Sequence, residues 1–205
     1  RFAKWRAVIT IGAGIPTDDC IRGNASALAK YAKACQDAEL VPIVEPEVLM
    51  DGDHTIETCY EVSEKTFNTV FEELENEGVY LPGILLKPNM VISGKDCPVQ
   101  GDMDTVAERT VKCLKASVPE DVPGIVFLSG GQSETEATEH LNAMNAMGVC
   151  PWALSFSYGR ALQQSALRAW GGDNANLETT YATFYHRAEM NSKACNGEYS
   201  PELEI

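Results

Sequence analysis

Short apolar runs alternate along the chain with longer stretches in which apolar residues recur every three to four positions, a rhythm of strands and helices. The first run, Trp5 to Ile11, reads as a strand broken by Gly12-Ala13-Gly14-Ile15-Pro16. Asn24 to Asp37 then carries Leu28, Tyr31, Ala32 and Cys35 on one helical stripe, and strand Val41 to Val44 follows. The clearest helical period lies in Thr55 to Glu75, where Ile56, Tyr60, Ser63, Phe67, Val70, Phe71 and Leu74 form a single face. Strand Ile84 to Leu86 precedes a polar loop, Ser93 to Asp102, and a helix over Met103 to Ser117 that turns Val106, Ala107, Thr110, Val111 and Leu114 inward. Strand Gly124 to Leu128 runs through Gly130-Gly131 into Ser133-Glu134-Thr135-Glu136, a capping box that starts a helix reaching Met147. The last strand, Trp152 to Tyr158, leads to a short helix ending at Trp170; Gly171-Gly172-Asp173 separates it from a final helix, Leu177 to Ala194. There, Tyr181, Phe184 and Tyr185 are expected to pack against neighbours.

Five βα units of this kind, with strands apolar on both faces, predict an α/β domain built on a parallel sheet covered by helices. Polar residues gather at the carboxyl ends of the strands: Glu45 and Glu47, Lys87, Ser129, and Ser157 with Arg160. In a barrel those ends share one mouth, whereas in an open doubly wound sheet only those near a topological switch meet. The barrel is the favoured reading. A full (β/α)8 barrel takes roughly 250 residues, so residues 1–205 are expected to form a single partial barrel domain with about three N-terminal units absent. Residues 195–205 form its C-terminal tail.

Composition sets outer limits. The 205 residues are 44% hydrophobic with a net charge of −14, which argues against a nucleic-acid or anionic-membrane surface and requires any anion site to be local. No apolar run approaches the ~20 residues of a membrane-spanning helix. Seven cysteines are scattered without a CxxC pair, a pattern of reduced thiols in a cytoplasmic setting. His54, His140 and His186 lack neighbours at metal-ligand spacing and read as structural or solvated.

Lys87 is the most informative residue. It ends the run Gly83-Ile84-Leu85-Leu86, and desolvation at such a strand mouth disfavours the ammonium form, leaving an amine that can attack a carbonyl. Glu45 and Glu47 stand two residues apart, so their side chains point the same way in extended backbone. Ser129-Gly130-Gly131 brings backbone N–H groups close to an anion, with a helix N-terminus behind it. Gly159 and Arg160 after the last strand offer a further close approach and a bidentate guanidinium. Each feature alone has a plainer meaning: an ion-paired lysine, a polar turn, a strand-to-helix corner, a surface charge.

Five ordered blocks narrow the choice. Phe2-Ala3-Lys4-Trp5-Arg6, Val41-Pro42-Ile43-Val44-Glu45-Pro46-Glu47, Leu85-Leu86-Lys87-Pro88-Asn89-Met90-Val91, Phe127-Leu128-Ser129-Gly130-Gly131-Gln132-Ser133-Glu134 and Trp152 to Gln163 resemble class I fructose-bisphosphate aldolase from Phe2 to about Tyr199. The resemblance implies a (β/α)8 barrel of which this chain holds strands four to eight. It also implies reversible cleavage of fructose 1,6-bisphosphate to dihydroxyacetone phosphate and glyceraldehyde 3-phosphate, a cytoplasmic step of glycolysis and gluconeogenesis. Lys87 then forms the imine, Glu45 moves protons beside Glu47, and Lys4 holds the carboxylates and steers substrate oxygens. Ser129, Gly130, Gly131, Ser157, Gly159 and Arg160 receive one phosphate, and Arg6 the other. No metal or other cofactor is implied, the partner is a sugar phosphate, and the assembly is a homotetramer. The family's acidic residue on strand one and lysine on strand three lie before Arg1, and the tail after Pro201 lacks the terminal tyrosine of many members. Another Schiff-base barrel enzyme, such as a transaldolase or sugar-acid aldolase, is the nearest alternative, and a noncatalytic scaffold or inactive fragment is a third. Two phosphate grips and the Glu-Pro-Glu pair favour the aldolase.

Overall fold

A computed structural model describes residues 1–204. The elements run β1 (Phe2–Ile9), α1 (Asp18–Asp37), β2 (Val41–Val48), α2 (Ile56–Asn76), β3 (Leu85–Leu86), α3 (Met103–Ser117), β4 (Gly124–Phe127), α4 (Glu134–Ala146), β5 (Ala153–Phe156), α5 (Arg160–Trp170) and α6 (Leu177–Ala194). Short 3-10 turns occupy Leu81–Gly83, Asn174–Asn176 and Pro201–Glu204.

The five strands form one parallel sheet in the order β1-β2-β3-β4-β5. Each strand pairs with the next in sequence, so the order contains no reversal and no switch point of the doubly wound type. Right-handed crossovers in an unreversed parallel sheet lay every helix on the same face. The helices accordingly pack in a row, α1 on α2, α2 on α3, α3 on α4 and α4 on α6. Between this row and the sheet lies the core, which includes Leu28, Phe67, Leu74, Leu86, Ile125, Phe127 and Leu141, all essentially inaccessible to water. No helix among the described residues is long and apolar enough to cross a membrane.

Sequence and structure diverge at several boundaries. α1 begins at Asp18, earlier than its apolar stripe: Thr17 caps the helix by accepting from Cys20 N–H, and Asp18 and Asp19 complement the dipole in the first turn. β1 spans Phe2–Ile9 instead of starting at Trp5. β2 runs on to Val48 despite Pro42 and Pro46. Lys87 N–H donates to Val44 O and Val48 N–H donates to Asn89 Oδ1, so even-numbered β2 residues direct their backbone groups toward β3. The missing proline donors therefore face the side where pairing is short, and the ladder to β1 stays whole.

The expectation for the last helix needs correction. Tyr181, Phe184 and Tyr185 are exposed, because α6 buries its other stripe, Arg187, Met190, Asn191 and Ala194. Tyr181 and Phe184 instead line an apolar surface groove with Leu167, Trp170 and Leu177.

Two loops at the carboxyl end of the sheet are locked together. Gly94 N–H donates to His54 O, and Lys95 N–H to Met50 O. A β-carbon on Gly94 would stand 2.3 Å from Gly52 O. Gly94→Ala is therefore expected to cost about 1–3 kcal/mol, the usual range for forced overpacking. Gly23→Ala, in α1 with nothing within 4 Å of the added carbon, should instead stabilise by roughly 0.5–1 kcal/mol. Denaturant titration of both variants checks the contrast; equal effects would contradict the close approach.

Candidate active site

Strand register decides which side chains meet. Arg6 pairs with Glu45 and Val8 with Glu47, while Ile43 pairs with Leu85 and Gly124 with Ala153. Because side chains alternate between faces, Lys4, Arg6, Glu45, Glu47, Lys87, Ser155 and Ser157 share the face opposite the helices. The helix-facing set, Ala7, Val44, Leu86, Ile125, Phe127 and Leu154, belongs to the core.

The carboxylate of Glu45 lies between two lysines. Lys4 Nζ bonds its Oε2 and Lys87 Nζ lies 3.2 Å from its Oε1. Glu45 and Lys87 are buried, at 3% and 8% exposure, whereas Lys4 reaches from the exposed edge strand. Glu47, also buried, bonds Nε of Arg6 and not Lys4, and this hydrogen bond holds the Arg6 guanidinium above its ordinary pKa. Glu45 thus has two lysines and Glu47 an arginine of its own. A buried carboxylate within reach of an amine can carry protons to and from groups attached to that amine.

The backbone beyond the strand ends keeps the loops in line. Leu128 N–H donates to Pro88 O and Ser157 N–H to Phe127 O, extending the sheet's bonding past β3 and β4. At Gly130 and Gly131 φ is 57° and 92°, values that favour glycine. The Ser133–Glu136 capping box that follows is present, with both reciprocal bonds formed. The guanidinium of Arg160 stands 3.8 Å from where a β-carbon on Gly131 would lie, and Met50 Sδ stands 3.0 Å from it. Ser129-Gly130-Gly131 and Arg160 therefore meet, a glycine-rich turn at a helix N-terminus beside an exposed cation. Gly159 is the N-cap of α5 and offers no side chain that would compete for its first N–H groups. The Tyr158 hydroxyl donates to Ala137 O at 2.8 Å, fixing the end of β5 against α4.

Two supporting residues escaped sequence reasoning. Asn89, two positions after Lys87 and 3% exposed, donates to Ser63 Oγ and Met90 O as it accepts from Val48 N–H, tying β2, α2 and the Lys87 strand together. Gln132 is likewise buried and bonded to both Ser129 and His140. Neither lies on a period or a chemical cluster, so only their place beside Lys87 and the glycine turn marked them. No group of three or more His, Cys, Asp or Glu side chains arranged to hold a metal ion occurs among the described residues, and the seven cysteines are unpaired.

Comparison with known proteins places the chain in a family. The family model for class-I fructose-bisphosphate aldolase, described as glycolytic, matches residues 1–204. A probable fructose-bisphosphate aldolase class 1 of Xanthomonas campestris is 55% identical over 200 residues, covering 97% of this chain and 60% of the relative. Cytosolic fructose-bisphosphate aldolase 5 of Arabidopsis thaliana is 54% identical, covering 98% and 56%. Among solved structures, Plasmodium falciparum fructose-bisphosphate aldolase, in complex with TRAP and a small-molecule inhibitor, superposes with a TM-score of 0.96 at 50% identity, over 98% of this chain and 58% of that one. The chain spans 60% or less of the length of these proteins.

Proposed function

The chain belongs to the class-I fructose-bisphosphate aldolase family, and on that premise we propose that the protein reversibly cleaves fructose 1,6-bisphosphate through an imine at Lys87. The observation that carries this reading is the buried Lys87 Nζ 3.2 Å from Glu45, with Lys4 on the carboxylate's other oxygen. Lys87 as free amine adds to the C2 carbonyl, and the carbinolamine loses water after Glu45 protonates its hydroxyl. The protonated imine is the electron sink, so no metal ion is needed for that task. Removal of the C4 hydroxyl proton breaks the C3–C4 bond, releases glyceraldehyde 3-phosphate and leaves an enamine whose electrons return to a proton at C3. Hydrolysis then frees dihydroxyacetone phosphate and restores Lys87.

Ser129, Gly130, Gly131, Ser157, Gly159 and Arg160 take the 1-phosphate in this reading, and Arg6, whose bond to Glu47 uses only Nε, takes the 6-phosphate. The five units correspond to strands four to eight of a (β/α)8 barrel. The unreversed strand order supports that assignment, as does the close superposition on a longer aldolase. The setting is cytosolic glycolysis and gluconeogenesis, supported by the Arabidopsis relative described as cytosolic, and the assembly a homotetramer by family likeness.

Borohydride reduction in the presence of dihydroxyacetone phosphate tests the reading. Peptide mapping of the full-length protein should find the three-carbon adduct on Lys87; an adduct elsewhere, or none, would overturn it. A second expectation concerns Arg160→Ala. A charge-assisted phosphate contact contributes about 1.5–3 kcal/mol, or roughly ten- to a hundred-fold in affinity. KM for fructose 1,6-bisphosphate should rise accordingly, and a ketose lacking the 1-phosphate should be little affected. Equal losses with both would remove Arg160 from the 1-phosphate site.

A further inference from the structure

The turn that carries Ser129, Gly130 and Gly131 is held from behind by a bonded pair that takes no part in the chemistry above. Gln132, 8% exposed, donates to the Ser129 carbonyl twice, from its backbone N–H at 2.9 Å and from Nε2 at 3.0 Å. With Nε2 so committed, the amide oxygen must be the acceptor for His140, whose Nδ1 lies 2.5 Å from Gln132 Oε1. Nδ1 therefore carries the hydrogen. Burial lowers the His140 pKa, in keeping with a neutral ring in that single tautomer. His140 stands two turns into α4, a helix whose start is pinned by the capping box, so the pair is fixed to a rigid element at one end and to the turn at the other.

The consequence passes through one peptide plane. In a trans peptide the carbonyl oxygen and the following N–H point to opposite sides. Two bonds holding the Ser129 carbonyl toward Gln132 therefore direct the Gly130 N–H away from it, while the left-handed φ at Gly130 and Gly131 shapes the rest of the turn. A turn without these bonds could rotate that peptide and present a carbonyl oxygen where an anion needs a donor.

We propose that Gln132 and His140 are positioning residues that orient the Ser129–Gly130 peptide so that its N–H serves as a phosphate donor. The proposal rests on the reading of this turn as a phosphate site. His140 sets the Gln132 amide, Gln132 sets the carbonyl, and neither touches the substrate.

The test uses the full-length protein with two unreactive probes, hexitol 1,6-bisphosphate and hexitol 6-phosphate, and imidazole 15N spectra of His140. The parent should prefer the bisphosphate and show His140 neutral with Nδ1 protonated. Gln132→Met keeps bulk but removes the side chain's bonds to Ser129 O and His140. It should weaken the bisphosphate about tenfold, the size of one hydrogen bond to a charged group, leave the 6-phosphate within about twofold, and shift His140 toward the Nε2–H tautomer. His140→Leu should show a smaller loss in the same direction, and it carries the ligand test alone if Gln132→Met does not fold. Equal weakening of both probes, unchanged bisphosphate affinity, or a parent His140 protonated on Nε2 would overturn the proposal. A parent that binds the bisphosphate no better than the 6-phosphate would instead overturn the phosphate reading of the turn, and the proposal with it.

Discussion

Lys87→Met is expected to abolish cleavage of fructose 1,6-bisphosphate while leaving the fold intact. Methionine is close to lysine in length and loses only the amine, and a side chain already 8% exposed and lodged at the end of β3 can be replaced by a flexible apolar one with little strain. Without the nucleophile there is no imine, and the C3–C4 bond has no electron sink. The variant should still bind the bisphosphate, because the turn at Gly130–Gly131 and Arg160 are untouched. Coupled assay of triose phosphate release, with borohydride trapping in parallel, checks both halves. Turnover at the parent's rate would end the imine mechanism; lost binding together with lost turnover would mean that Lys87 acts through structure.

Glu45→Gln should have the second largest effect, a fall in kcat of about 10²–10⁴, the usual worth of a positioned acid or base. The amide keeps the shape and can still accept from one lysine, but it neither takes nor gives the proton that carbinolamine collapse requires. It also leaves Lys4 and Lys87 without their shared counter-charge. Removing one partner of a buried ion pair typically costs about 3–5 kcal/mol, so the variant should also be less stable than its parent. Single-turnover trapping should therefore slow at imine formation, and KM should change much less than kcat. A variant with normal kcat would transfer the proton role to another group, for which Glu47 on the same strand face is the candidate.

Much of this arrangement was legible in the sequence, and the reasons differ by element. The α2 and α3 boundaries followed from their apolar periods, that of α6 from the Gly171-Gly172-Asp173 break before it, and the Ser133–Glu136 box named the start of α4 outright. Glu45, Lys87 and Lys4 were expected together and do meet. The pairing of Glu47 with Arg6 was not foreseen, because it depends on the β1–β2 register, which composition and periodicity do not specify. The length of β2 was underestimated at its far end: the strand was expected to stop at Val44, before Pro46, whose missing donor faces the side where pairing is short. Tyr181, Phe184 and Tyr185 misled for the opposite reason: an aromatic stripe shows that a helix has an apolar side, but not whether another element covers it. Asn89 and Gln132 carry ordinary amides, and only three-dimensional bonding distinguishes them from surface residues.

The unreversed strand order also bears on how the molecule acquires its shape. Each strand pairing joins adjacent units, about forty residues or fewer apart, so each closes a loop of similar modest entropy. During synthesis, β2 can dock on β1 as soon as α1 has emerged, and each later unit meets a template already in place. Lys87 reaches Glu45 in that sequence before the glycine turn and Arg160 exist. The acid, the amine and their salt bridge would thus be assembled on the ribosome ahead of the groups assigned to phosphate, and a pause or break late in translation would leave a nascent chain with its reactive pair formed but its anion site unbuilt.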